Sequence, residues 1–187
     1  MQRTFRNVID GHYLNDPAHT IRWRNTVSFI QHSSSAGTLF SKGLDLGDRT
    51  PFTASLEQLF SCPFENTTVD LDLEPLKGSY CVITAFEVLE HLFNPLHALL
   101  EIKRHLKGDG ALLFVSMPLR KPLFLASPDH FHEMSRQSAL SLFSRAGFRV
   151  VRSDEFRIRS MLFYLTGLKP LLRAMFEKVQ IYELTAQ

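Results

Sequence analysis

Two histidines and a glutamate stand close together in the sequence, at His130, His132 and Glu133. Imidazole exchanges a proton near neutral pH, so either histidine, placed in a lid over a binding cleft, is a candidate to take the proton of a nucleophile. The same three residues offer ligands to a metal ion, but no other histidine or cysteine pair completes a closed site, so we expect no metal. A structural role, in which the imidazoles bond backbone groups where a loop enters a helix, stays open.

The elements that must position these residues alternate between strands and helices. Apolar runs predict strands at 42–47, 66–71, 80–86, 111–117, from 148 onward and at 179–184. Helical periodicity predicts helices at 20–31, 52–60, 95–106 and 135–146. This alternation is typical of an α/β fold with a doubly wound, mostly parallel sheet. Ligands of such sheets bind beyond the carboxyl ends of the strands, here 45–50, 70–73, 84–90 and 116–120.

Composition is typical of a single soluble globular domain over 1–187. The 187 residues are 44% hydrophobic and carry a net charge of +2, which suits a chain with a core of its own. Two cysteines do not indicate a disulfide framework, so we expect a reducing, cytoplasmic setting. We see neither the apolar region of a secretory signal nor the roughly 18 apolar residues of a membrane span.

Charge is distributed unevenly along the chain. Residues 43–101 carry 10 acidic and 2 basic groups, whereas residues 102–187 carry 7 acidic and 14 basic groups. An acidic middle suits a cationic or polyol ligand, although both regions are equally well explained as solvated faces. The basic groups are spread out and we find no stacking platform or recognition helix, so we expect no nucleic-acid partner.

Four stretches occur in an order and spacing that carry a family resemblance. They are LDLG at 44–47, ITAFEVLEHLFNP at 83–95, KGDGALLFVSMP at 107–118 and HFHEMSRQSALSLFSRAGFRVV at 130–151. Together they resemble the class I S-adenosylmethionine-dependent methyltransferases, especially the small-molecule branch that includes the ubiquinone-biosynthesis enzymes. The resemblance implies a Rossmann-like methyltransferase fold, an S-adenosylmethionine cofactor, and methyl transfer to a small molecule or a carrier-linked intermediate.

The first of these motifs implies a turn whose backbone N–H groups approach the amino-acid carboxylate of the cofactor. The resemblance places this role on Asp45, Leu46 and Gly47. The turn is degenerate, because Asp48 adds a negative charge and Pro51 removes an N–H donor where the family has further glycines. Arg49 is the candidate to replace the lost donors by pairing with the carboxylate.

A second departure is the short distance between Asp70 and Tyr80, which leaves no room for a helix and a strand of the family pattern. We therefore expect a sheet trimmed at one edge, with the adenine side of the pocket less covered. By resemblance Asp70 is the best match for the carboxylate that binds the ribose hydroxyls, and Asp72 competes with it. The fourth-strand motif implies cofactor contacts from Thr84, Phe86 and Glu87, with core packing or a helix start as the alternatives.

The chain adds to this pattern an N-terminal helical segment over 1–40 and an apolar, basic insertion at 157–178 before the last strand. The insertion suits a helical cap over a hydrophobic substrate, a dimer face, a membrane-surface helix or a plain helix pair covering the sheet.

Two functions follow from these observations. The first is methyl transfer by in-line displacement at the sulfonium methyl, assisted mainly by proximity and orientation. The second is a non-catalytic scaffold or partner subunit that has lost cofactor binding. Whether the turn at 47–51 holds the cofactor carboxylate discriminates between them.

Overall fold

Six strands form one sheet in the computed structural model, which describes residues 17–33, 38–67, 69–125 and 127–187. In chain order they are β1 (Gly43–Asp45), β2 (Phe64–Asn66), β3 (Val82–Phe86), β4 (Leu112–Pro118), β5 (Phe148–Arg157) and β6 (Lys178–Ala186). The order across the sheet is β2-β1-β3-β4-β6-β5, and only β6 runs against the other strands. The predicted doubly wound, mostly parallel α/β sheet is confirmed.

Helices cover both faces of this sheet. They are α1 (Pro17–Gln31), α2 (Pro51–Phe60), α3 (Pro95–His105), α4 (Arg136–Arg145), α5 (Met161–Tyr164) and α6 (Leu168–Phe176), with short 3-10 helices at Leu89–His91 and Leu123–Leu125. One core is rich in phenylalanine and joins α1 and α2 to the sheet. The other is mainly aliphatic and joins α3 and α4 to the opposite face. The predicted N-terminal helix is present, while residues 1–16 of the 1–40 segment lie outside the described residues.

Two of these helices begin at the carboxyl edge of the sheet because their sequences cap them there. The Thr50 hydroxyl accepts a hydrogen bond from the Phe52 amide, and Pro51 takes the first helical position of α2. Asn94 caps α3 through a bond from the His97 amide. Both N-terminal ends, with their N–H groups, therefore lie beside the strand ends where ligands of this architecture bind.

The predicted strand at 66–71 was wrong in position, because β2 lies earlier. Its pairing with β1 sets Phe64 opposite Gly43, and the Phe64 ring fills the space where a side chain at Gly43 would stand. Phe64 also packs on Phe60 in the aromatic core. This burial outweighs the local β preference of the residues that follow, so Asp70 lies in a turn beyond the strand.

No described strand lies beyond β2, so the sheet is trimmed at that edge as predicted.

The segment 157–178 contains the predicted helices, α5 and α6. Its large apolar side chains are mostly in solvent, with exposed fractions of 51–77% for Leu162, Leu165, Leu168, Leu171 and Met175. These side chains do not cover the sheet, so a cap, dimer or membrane-surface role for the segment stays a prediction. None of the described helices combines the length and the apolar character needed to cross a bilayer.

Candidate functional site

The carboxyl ends of β1 and β3, which are neighbours in the sheet, are where this architecture has its ligand-binding crevice. From β1 the chain proceeds to β2 on one side, and from β3 it proceeds to β4 on the other, so this is the switch point of the sheet. Both strands are followed by a residue with left-handed backbone, Gly47 at φ +106° and Glu87 at φ +56°. A Cβ atom added to Gly47 would meet no atom within 4 Å, so open space lies against this turn.

The Asp45 side chain connects the elements at the base of the crevice. Its buried carboxylate accepts hydrogen bonds from the Thr53 and Thr84 hydroxyls, each at 2.7 Å. Burial raises the pKa of the Asp45 carboxyl, and these bonds offset part of that rise. The side chains of Asp45, Leu46 and Thr84 are all buried, so the structure places these three predicted residues as supports of the turn, inside the protein.

Two residues that the sequence analysis missed complete the turn. The Gly47 amide donates to the Thr67 hydroxyl at 2.8 Å. The Asn66 side-chain amide donates to the carbonyls of Asp45 and Gly47, at 3.3 Å each. The polar pair Asn66-Thr67, which begins two residues after the buried Phe64, was the signal for them, and it was missed because the strand was predicted too late in the chain.

Two arginines lie near the crevice in different ways. Arg49 is directed to α2, where its guanidinium pairs with Glu57 at 2.7 Å and donates to the Phe64 carbonyl at 3.3 Å. That pairing holds the pKa of Glu57 below its ordinary value. Arg22, on α1, lies beside Glu87 with 3.4 Å between Nη2 and Oε2, and sequence reasoning gave no sign of this contact. Of these two arginines in the described part of the chain, Arg22 is the one that faces the end of β3.

Phe86 and Glu87 form the wall of the crevice on the β3 side. The Phe86 ring meets Phe52 edge-on at 5.8 Å, and Phe52 stacks on Trp23 of α1 at 5.4 Å. Glu87 accepts a hydrogen bond from the Ser116 hydroxyl at 3.0 Å. The N-terminal helix is thus attached to the ligand-binding edge by both an aromatic stack and an ion pair.

The two predicted ribose carboxylates differ in their surroundings. Asp72 uses both oxygens to accept the backbone amides of Phe93 and Asn94, at 3.1 and 2.7 Å. Asp70 is exposed, and one of its oxygens accepts the Asp72 amide at 3.0 Å. Asp70 is therefore the better placed of the two to accept a further hydrogen bond from a ligand.

A second cleft, of about 520 Å³, lies beside the loop after β4. Among its lining residues are Arg120, Lys121, His130, Phe131, His132 and Glu133. His130 Nδ1 lies 2.9 Å from a Glu133 oxygen, which also pairs with Lys121 at 2.9 Å. Although burial raises the pKa of Glu133, these two partners hold it below its ordinary value.

His132 is directed elsewhere, since its Nε2 lies 3.2 Å from the Phe93 carbonyl oxygen. The structure therefore joins His130 to Glu133 but does not bring the three residues of the H-x-H-E stretch to one point.

Comparison with known families decides the identity of this fold. The sequence profile of a family described as a methyltransferase domain matches residues 16–153. The chain belongs to that methyltransferase domain family. The match spans both strands of the crevice and the loop that carries His130 and His132. The predicted class I S-adenosylmethionine-dependent methyltransferase is thereby confirmed, while the ubiquinone-biosynthesis branch stays a prediction.

Solved structures similar to this methyltransferase domain share its fold at low sequence identity. The 1,6-didemethyltoxoflavin-N1-methyltransferase of Burkholderia thailandensis, solved with 1,6-didemethyltoxoflavin and S-adenosylhomocysteine, is 12% identical with a TM-score of 0.61, covering 95% of this chain and 81% of its own. The N-methyltransferase NodS of Bradyrhizobium japonicum WM9, solved with S-adenosylhomocysteine, is 13% identical with a TM-score of 0.58. The match covers 96% of this chain and 93% of NodS. The [4+2]-cyclase SpnF is 14% identical with a TM-score of 0.57, and the match covers 86% of this chain and 79% of SpnF. A search of curated proteins gives no match.

The residues present in this methyltransferase domain fit the amino-acid end of the family's cofactor. Open space at Gly47 lets a carboxylate approach the backbone of the turn at the start of α2. Arg22 supplies a cation at the facing strand end. Beyond β2, Asp70 has an exposed carboxylate.

Proposed function

We propose that this methyltransferase domain binds S-adenosylmethionine in the crevice between β1 and β3, and methylates a small molecule or a carrier-linked intermediate held in the neighbouring cleft. The observation that carries the proposal is the open space against the Gly47 turn, at the point where the chain leaves β1 and β3 in opposite directions across the sheet. A crevice at the switch point is the ligand site expected of this architecture.

Three parts of the chain would hold the cofactor. The backbone of the Gly47 turn and the guanidinium of Arg22 take the amino-acid carboxylate, and Asp70 accepts from the ribose hydroxyls. Arg22 then performs the task that the sequence suggested for Arg49. When bound, the cofactor supplies an electrophilic methyl group on a sulfonium centre.

The cleft after β4 would orient the acceptor. Its volume of about 520 Å³ suits a small molecule or the end of a carrier arm. The exposed rings of Phe93 and Phe131 stack at 4.1 Å and offer an apolar surface at its mouth.

Proton removal from the acceptor is assigned to His132, with His130 as the second candidate. A carbonyl oxygen only accepts hydrogen bonds, so the contact of His132 Nε2 with the Phe93 carbonyl requires the proton on Nε2. The Nδ1 of the neutral ring therefore carries the lone pair that a base needs. Loss of a general base lowers kcat by about 10²–10⁴-fold.

Calorimetric titration with S-adenosylhomocysteine tests the cofactor site. We expect micromolar binding by the full chain, at least tenfold weaker in Asp70→Ala and in Arg22→Gln. Arg49→Gln is the matched control, because it removes an identical group that is paired with Glu57. If only Arg49→Gln weakened S-adenosylhomocysteine binding, then Arg49, as the sequence suggested, would be the partner of the cofactor carboxylate in place of Arg22.

The non-catalytic alternative has one observation in its favour. The Gly47 amide, a donor that the cofactor carboxylate would need, donates to Thr67 instead. Absence of S-adenosylhomocysteine binding up to millimolar ligand, in protein shown to be folded, would overturn the methyltransferase proposal and favour a scaffold or partner subunit.

A further inference from the structure

One carboxylate and two imidazoles meet where the 3-10 helix after β3 contacts the loop after β4. One ligand atom from each of Glu90, His91 and His130 lies within 4.8 Å of the others. We infer that these three residues form a binding site for a divalent transition-metal ion of the Zn²⁺ class. The inference does not depend on methyl transfer or on the cofactor.

Glu90 is the first reason. Its side chain is fully buried, with 0% exposure, and neither carboxylate oxygen has a hydrogen-bond partner. Buried polar atoms without a partner are rare in native proteins, and an ionised carboxylate in this position is strongly destabilising. A bound cation would both satisfy the oxygens and favour the ionised form.

The two histidines are prepared as ligands by their outer contacts. His91 Nδ1 lies 2.9 Å from the Asp129 carbonyl oxygen, an acceptor only, so Nδ1 carries the proton. His130 Nδ1 lies 2.9 Å from Glu133, whose carboxylate Lys121 keeps ionised. Each neutral ring therefore keeps its lone pair on Nε2. Metal-bound histidines are oriented in this way, by a carbonyl or a carboxylate on the opposite nitrogen.

Backbone bonds hold the three ligands in place without an ion. The Glu90 carbonyl accepts the amides of Phe131 at 2.8 Å and His132 at 3.1 Å. The rings of His91 and His130 meet edge-on with their centroids 4.8 Å apart. With the backbone held, rotation of the three side chains is enough to bring the ligand atoms from within 4.8 Å of one another to the spacing of about 3.4 Å that tetrahedral zinc requires, which limits the ordering entropy lost on binding.

Ligand chemistry selects the class of metal. Two imidazole nitrogens and one carboxylate suit Zn²⁺ and its first-row neighbours, whereas Mg²⁺ and Ca²⁺ prefer sets made of oxygen. Three protein ligands leave a coordination position open to water or to a ligand, as in catalytic zinc sites. The sequence-based expectation of no metal considered His130, His132 and Glu133 as ligands, whereas the site proposed here keeps His130 and adds Glu90 and His91.

Titration of the chelator-stripped full chain with Co²⁺ and Zn²⁺ tests this site, with visible absorption and calorimetry as readouts. We expect one Co²⁺ per chain with d–d bands, displaced by Zn²⁺, and at least tenfold weaker binding in Glu90→Gln and in His130→Ala. Glu90→Gln keeps the side-chain shape, and circular dichroism checks its fold. His32→Ala, which removes an exposed imidazole on another face, is the matched control and should bind as the wild type does.

Two outcomes would overturn the inference. Equal binding by wild type, Glu90→Gln and His130→Ala would place the ion on surface histidines. No binding by the folded wild type would leave Glu90 as a buried, protonated acid. Neither outcome affects the calorimetric test with S-adenosylhomocysteine, which is carried out without added metal.

Discussion

The hydroxyl of Thr84 donates to the carboxylate of Asp45 at 2.7 Å, linking the two strands that flank the crevice by their side chains as well as by their backbones. Thr53 of α2 donates to the other oxygen of the same carboxylate. One buried acid therefore fixes the relative positions of β1, β3 and the helix start where the cofactor carboxylate is proposed to bind.

Asp45→Asn should change how stability depends on pH. Because burial raises the pKa of Asp45 above its ordinary 3.8, the unfolded chain loses this proton at a lower pH than the native protein does. The wild type should therefore lose free energy of unfolding, relative to Asp45→Asn, as pH rises from about 4 toward 7. Urea denaturation of both proteins across this range measures the difference, and parallel curves would contradict it.

Asp72→Ala should lower stability, whereas Asp70→Ala should weaken cofactor binding. Asp72 accepts two backbone amides before α3, so its removal should lower the free energy of unfolding by about 1–2 kcal/mol. Asp70→Ala should leave stability within about 0.5 kcal/mol and weaken S-adenosylhomocysteine binding. Denaturation and calorimetry on both variants check the contrast; an exchange of the two effects would make Asp72 the ribose ligand.

Gly47→Ala should impair both stability and cofactor binding. A left-handed backbone costs a non-glycine residue about 1 kcal/mol, and the added methyl would occupy the space proposed for the cofactor. Gly110→Ala is the matched control, since Gly110 also has positive φ and open space but lies at the opposite end of β4. Both variants should be destabilised, and only Gly47→Ala should bind S-adenosylhomocysteine more weakly. If both variants bound S-adenosylhomocysteine with equal affinity, the Gly47 turn would not be part of the cofactor site.

Glu90→Gln should abolish the response of stability to metal. In chelator the variant should stay within about 1 kcal/mol of the wild type, because the glutamine amide, like the acid it replaces, is a buried polar group without a hydrogen-bond partner. With excess Zn²⁺ the wild type should gain stability by binding the ion, and the variant should not. Thermal denaturation under the two conditions measures this, and no response of the wild type to Zn²⁺ would contradict the metal site.

Much of the fold was predictable because its strands are buried apolar runs. Every residue of β4 is buried, and such a run permits few alternatives. The position of β2 was not predictable, because the packing of Phe64 over Gly43 depends on strands that are distant in sequence. A proline at the first helical position acts locally, as Pro51 and Pro95 do, which is why the starts of α2 and α3 were predicted to within a residue.

The candidate site was only partly predictable, because it depends on contacts between residues that are distant in sequence. The sequence indicated the ends of β1 and β3, where the switch point of the sheet lies, but Arg22 contacts Glu87 from a helix whose packing the sequence does not reveal. Likewise, His130 meets Glu90 across 40 residues because backbone bonds attach the loop after β4 to the 3-10 helix. Residue types and spacing identify candidate groups, whereas tertiary contacts decide which of them meet.

Because the described sheet ends at β2, we expect this chain to accept cofactor analogues that carry a substituent on the adenine. In a longer sheet, a further strand and its helix would cover the nucleobase of the cofactor, but no described strand lies on that side here. A large substituent on the adenine amino group would then extend into water and meet little protein. Adenine-tagged cofactor analogues, which a fully covered pocket would reject, are therefore expected to bind this chain almost as well as the unmodified nucleoside and could serve as selective affinity labels.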